Sequence, residues 1–215
     1  MDDTHDDSYR ERVLEDGSPD KDTPMTQRHK SIYLLPNAFT TAALFGAFFA
    51  IIQATKGEFG YAAIAIFCSM VLDGMDGRVA RLTNTQSAFG EQYDSLADMV
   101  SFGVAPALIV FIWQLKDLGT GRLGTIVAFT YCVCAALRLA RFNANIGVID
   151  KKFFQGLPSP SAAALVAGFV WLVSEDHLTL PPNVLPYATL AINLFAGLSM
   201  ITNLPYYSGK AMDIR

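Results

Sequence analysis

The chain has 215 residues, 52% of them hydrophobic and only 17% charged, with a mean hydropathy of +0.30; this argues against an ordinary soluble domain and for a membrane protein. The net charge of −4 belongs to one segment, because Asp2, Asp3, Asp6, Asp7, Glu11, Glu15, Asp16, Asp20 and Asp22 are nine of the twenty acids and, against Arg10, Arg12 and Lys21, give it −6. His5, His29 and His177 are scattered, and Cys68, Cys132 and Cys134 lie within apolar runs, which excludes a local Ser/His or Cys/His arrangement, a zinc site and a disulfide framework.

Residues 1–27 lack a hydrophobic centre, so they are predicted to be a disordered acidic tail, neither a secretory signal nor a packed element. Residues 28–215 are predicted to form one all-α membrane domain. Apolar runs at about 34–55, 60–80, 99–115, 122–140, 160–174 and 184–204 predict six transmembrane helices, since a span needs roughly 20 residues. The breaks fall at Gly57 with Glu58, the polar stretch Thr83 to Gln92, Gly119 to Gly121, Asp150 to Lys152, and the Pro181-Pro182 turn. The third helix starts polar near Gly90 and ends apolar at Trp113, so it is expected to begin outside the hydrocarbon and run into it. The three cysteines are expected in the core. Ser159, between Pro158 and Pro160, is a candidate cap for the fifth helix, although an ordinary helix start explains it as well.

An even number of spans places both termini on one side. Of the sixteen basic residues, only Lys56, Lys116 and Arg122 fall on the opposite face, which assigns the termini to the cytoplasm. The polar segment after the second helix then faces the cytoplasm as well.

That segment carries the chemistry. Asp73 and Asp76 are three apart and Asp94 and Asp98 four apart, so each pair shares a helix face. An ionised carboxylate in a membrane helix costs about 3 kcal/mol on insertion scales. Four converging acids therefore need compensation, and bound divalent cations supply it. Magnesium or manganese prefers oxygen ligands and keeps sites for water and phosphate oxygens. Gly74 and Gly77 remove side chains where a nucleotide would lie against the backbone, and Arg78 and Arg81 can meet phosphate charge. The bland alternative is that acids and arginines pair as a cytoplasmic helix end and loop.

The order Asp73, Asp76, Gly77, Ala80, Arg81, Gly90, Asp94, Asp98 resembles the signature of the CDP-alcohol phosphatidyltransferase family at every fixed position. Pro36-Asn37-Ala38-Phe39-Thr40 is similar to a further segment of that family, which contributes to the nucleotide pocket. The resemblance implies six helices with cytoplasmic ends, a homodimer in the cell's inner membrane, and CDP-diacylglycerol as donor. It further implies Mg2+ or Mn2+, as two ions, on Asp73, Asp76, Asp94 and Asp98, with Asp98 also the base. Donor contacts would come from Asn37, Thr40, Asp73, Gly74, Gly77, Arg78, Ala80 and Arg81. No nucleic-acid partner is expected.

Three further stretches, Ala136 to Asn143, Phe153 to Ala162 and Tyr206 to Lys210, are similar to the serine-accepting bacterial and archaeal branch of the family. That implies L-serine as acceptor and phosphatidylserine and CMP as products. Arg138 and Arg141 are candidate contacts for the serine carboxylate, but guanidinium forks fit carboxylate and phosphate alike, and both residues would also serve as boundary anchors. Phosphatidylglycerophosphate synthase is thus the rival within the enzyme class. Outside it stand a divalent-cation transporter, since intramembrane acids also mark ion paths, and a protein that binds nucleotide lipids without turnover. Against a transporter, the acids cluster at one end beside arginines, which would repel a permeating cation.

Overall fold

The structure, a computed structural model, describes residues 27–83, 87–118, 121–144, 153–202 and 205–207, with side chains from Asn37 onward except at 153–155 and 205–207. Among these residues six helices follow one another: α1 Gln27–Thr55, α2 Phe59–Thr83, α3 Ala88–Leu115, α4 Arg122–Ala144, α5 Ser159–Ser174 and α6 Leu185–Ile201. Two three-residue strands, β1 Phe153–Gln155 and β2 Pro205–Tyr207, pair antiparallel with Phe153 opposite Tyr207. The expected all-helical fold is therefore present, with one small strand pair added to it. Of the tail expected at 1–27, residues 1–26 lie outside the described residues, as does the Asp150 to Lys152 connection, and Gln27 belongs to α1.

Helices α1 to α4 are long and apolar enough to cross a membrane. α5 and α6 have 16 and 17 residues, or about 24 and 26 Å at 1.5 Å per residue, short of the roughly 30 Å hydrocarbon thickness. α1 begins seven residues before the apolar run and carries through Pro36. α2 reaches Thr83 and α3 starts at Ala88, so much of the polar stretch expected to be a break is helical.

Large apolar side chains such as Phe45, Phe48, Tyr61, Ile64, Phe129 and Phe195 lie on the outside, while the contact between α1 and α2 is made mostly of small residues. Ala43, Ala47, Ala50 and Ala54 form one buried stripe on α1, facing buried Ala62, Ala63, Ile66 and Ser69 on α2. In lipid, close helix approach through small residues and interhelical hydrogen bonds replaces the hydrophobic drive. Ser69 Oγ accordingly donates to the Ala43 carbonyl at 2.8 Å, and a Cβ on Gly46 would stand 2.5 Å from the Ser69 hydroxyl oxygen. This contact fixes the register of α1 on α2. Cys134 is buried as expected, but Cys68 is exposed, because it lies on the outward side of α2.

α3 runs through the middle of the bundle and touches all the other helices. It is α-helical at Ala88–Asp98 and Ala105–Val110 and π-helical at Met99–Val104 and Phe111–Leu115. Pro106 has no N–H for the carbonyl of Phe102 four residues back. The fully buried Tyr131 of α4 donates its hydroxyl to that carbonyl at 3.0 Å. The break is thereby satisfied by a neighbouring helix, and the π segment begins directly after Asp98.

Candidate active site

The register of α1 on α2 brings Thr40 beside Asp76, and Thr40 Oγ1 donates to Asp76 Oδ2 at 2.8 Å. Both residues are buried, at 4% and 5% exposure. Ser87 caps α3, accepting from the Gly90 amide at 3.0 Å. A Cβ on Gly90 would lie 3.1 Å from that Ser87 oxygen and 3.4 Å from Asn37 Oδ1, so the glycine lets the first turn of α3 close on α1. Tyr93 and Thr41 share a hydrogen bond of 2.9 Å across the same interface. α3 is thus pinned with Asp94 and Asp98 turned toward α2.

One carboxylate oxygen each from Asp73, Asp76 and Asp94 lie within 4.8 Å of one another. Asp98 is not part of that group but lies beside Asp73. Asp94 Oδ1 and Asp98 Oδ1 are buried and have no hydrogen-bond partner among the described residues. Ionised carboxylates at such separations repel, and buried acceptors without donors are costly. An all-oxygen cluster with unused buried lone pairs fits a hard divalent cation. Among the described residues it is the one group of acids that meets this spacing.

The other expected site residues fall into two sets. Gly74 and Gly77 are exposed, with open space where a Cβ would go, as an approach of substrate to the α2 backbone requires. Arg78 and Arg81 are exposed near the end of α2, Ala80 is half-buried, and Asn37 faces Gly90. Thr40, expected against the nucleotide, has its hydroxyl turned to Asp76. On α4, Arg138 and Arg141 part company: Arg138 is half-buried and feels the Asp98 charge, whereas Arg141 is exposed.

Two partners were not anticipated. Arg138 Nη1 donates to Ser159 Oγ at 2.8 Å. Ser159 is therefore not the cap of α5, whose N-cap is Pro158 without a side-chain bond. Asn143 Nδ2 donates to Ser95 Oγ at 3.1 Å, tying the end of α4 beside Asp94. The polar character of Asn143 and of the Pro-Ser-Pro run was visible in the sequence, but their partners, 48 and 21 residues away, were not.

The outward apolar surface and four long helices define a multi-pass membrane protein, with a carboxylate site suited to a divalent cation. The sequence profile of the CDP-alcohol phosphatidyltransferase family matches residues 33–201, and the chain belongs to that family. A CDP-diacylglycerol–serine O-phosphatidyltransferase of Helicobacter pylori is 40% identical over 179 residues, covering 83% of this chain and 74% of the relative. One from Methanocaldococcus jannaschii is 40% identical over 141 residues, 66% and 61% of the two chains. The structure of a phosphatidylinositol phosphate synthase from Mycobacterium tuberculosis, solved with CDP-DAG bound, shares the fold with a TM-score of 0.57 at 18% identity, covering 79% of this chain and 80% of that one.

Proposed function

We propose that the chain transfers the phosphatidyl group of CDP-diacylglycerol to the hydroxyl of L-serine, giving phosphatidylserine and CMP. The observation that carries this reading is the convergence of the Asp73, Asp76 and Asp94 carboxylates from α2 and α3, with unused buried oxygens on Asp94 and on neighbouring Asp98, in a chain whose curated relatives at 36–41% identity bear the name of that activity. It favours transfer to serine over phosphatidylglycerophosphate synthesis and over cation transport.

Asp73, Asp76 and Asp94 are assigned as ligands of Mg2+ or Mn2+, two ions in all, with Asp98 on the shared edge of that set. Bound cations would neutralise charge on the donor diphosphate and on the departing CMP. The α2 backbone at Gly74, Gly77 and Ala80 receives the nucleotide, with Asn37 at its border. Arg78 and Arg81 meet phosphate charge from the exposed side. Thr40 holds Asp76 in place. Asp98 accepts the proton of the serine hydroxyl as that oxygen attacks phosphorus and the bond to CMP breaks. A carboxylate is a weak base for an alcohol, so most of the rate comes from positioning and electrostatics. Arg138 binds the serine carboxylate, and Arg141 is assigned to the same anion at the rim.

Six spans, a cytoplasmic site, an inner-membrane location and a homodimer complete the reading. α5 and α6 would cross with local thinning of the bilayer, which costs fractions of a kcal/mol per Å of mismatch. The tail ahead of Gln27, where α1 opens, is assigned no part in turnover.

The test separates ligand from base. Asp94→Asn should raise the Mn2+ concentration needed for half-maximal CMP release, together with a loss of turnover. Asp98→Asn should mainly lower turnover at saturating metal. Wild-type turnover in Asp98→Asn, or full activity of the intact protein in excess chelator, would overturn the assignment.

A further inference from the structure

Arg138 and Ser159 form a contact that bundle packing does not require. α4 and α5 are otherwise hardly in contact, so a side-chain hydrogen bond joins them where their backbones stand apart. The bond uses Nη1 of the guanidinium. Arg138 Nε is buried and has no acceptor among the described residues, and the nearby charge is that of Asp98. One edge of the fork is thereby fixed, and the edge that contains Nε is left for something else.

The chain is built to free Ser159 for this. Gly156 has φ +81, and a Cβ there would collide with the Met200 carbonyl, which sets the entry of the chain into α5. The Leu157 amide donates to the Ser199 carbonyl at 2.9 Å. Pro158 then takes the N-cap position, with ψ 138 and no side-chain cap, and Pro160 has no N–H to be capped. A serine at a helix start ordinarily bonds to the amides of that start. Ser159 is instead 0% exposed, with its oxygen turned to Arg138.

We propose that Ser159 is a positioning residue: it holds the Arg138 guanidinium so that the Nε edge faces the acceptor's carboxylate beside Asp98. The acceptor is thus selected as an α-amino acid with a hydroxyl, and not as an amino alcohol lacking the carboxylate. A planar fork held by a third group binds carboxylate with less loss of freedom than an untethered one. This inference rests on the serine reading above and adds to it the residue that orients the anion contact.

The experiment is a double-mutant cycle in purified, lipid-supplemented protein, with kcat/KM for serine measured at saturating CDP-diacylglycerol and Mn2+. Ser159→Ala should lower that value about tenfold, the scale of one lost hydrogen bond to a charged group, while the KM for CDP-diacylglycerol stays within about twofold. In the Arg138→Lys background the same substitution should cost less than about twofold, because the tethered fork is already gone. Stabilisation against heat by CDP-diacylglycerol should be the same in Ser159→Ala as in the wild type. An equal loss in both backgrounds, a parallel rise in the donor KM, or lost stabilisation by donor would make Ser159 a structural contact and overturn the proposal. Failure of the wild-type protein to use serine would overturn the function itself, an outcome read separately from the cycle.

Discussion

Thr40→Val removes one hydroxyl and keeps the side-chain shape, so it breaks the bond that joins α1 to the carboxylate cluster. The bond is 2.8 Å long, with both residues at least 95% buried. A hydrogen bond to a charged group is worth about 1.5–3 kcal/mol, or roughly 10- to 150-fold at 1.4 kcal/mol per decade. The carboxylate keeps its place on α2 when the hydroxyl is lost, which places the expected loss at the lower end of that range, near about tenfold. The assay is CMP release titrated with Mn2+ at saturating CDP-diacylglycerol and serine. The half-saturating Mn2+ concentration should rise about tenfold, and added metal should restore most of the turnover. If Thr40 instead touches the nucleotide, the donor KM rises at saturating metal and the metal titration stays unchanged. That result would refute the argument that Thr40 acts through Asp76.

Two further outcomes follow from the packing. Gly77→Leu should insert and fold, because a Cβ there meets nothing within 4 Å and the position is exposed, yet raise the donor KM by at least about tenfold through steric exclusion of the nucleotide; an unchanged donor KM would remove Gly77 from the pocket. Tyr131→Phe leaves the Phe102 carbonyl without its buried donor, so the protein should lose about 1 kcal/mol of stability, read as a lowered midpoint of thermal or denaturant unfolding in detergent, with a midpoint equal to wild type contradicting the role given to that bond.

The spacing of Asp73, Asp76, Asp94 and Asp98 was enough to place the candidate site, because three- and four-residue intervals need only helical geometry to share a face. Hydropathy likewise gave six apolar helices, with ends that shifted mainly where polar residues continue a helix, as at Gln27 and Ala88. What stayed hidden depends on how one helix is turned against another. α4 is apolar around most of its circumference, so nothing local tells that Arg138 turns inward while Arg141, three residues on, stays exposed. Thr40 reaches Asp76 only through the Ala43 and Ser69 contact, a relation across 36 residues. Ser159 carries the local marks of a helix cap, and only the placement of α4 shows that its hydroxyl is engaged elsewhere. The π segments of α3 and the β1–β2 pair are tertiary outcomes of the same kind.

The central claim is that this carboxylate site joins a phosphatidyl group to serine. Purified protein in lipid and detergent with Mn2+ and CDP-diacylglycerol should be given L-serine, glycerol 3-phosphate or inositol phosphate in turn, with CMP release and the lipid product followed together. The account predicts CMP and phosphatidylserine in equal amounts with L-serine, and only background CMP with the two phosphorylated acceptors. CMP release driven by glycerol 3-phosphate or inositol phosphate and not by serine would contradict it.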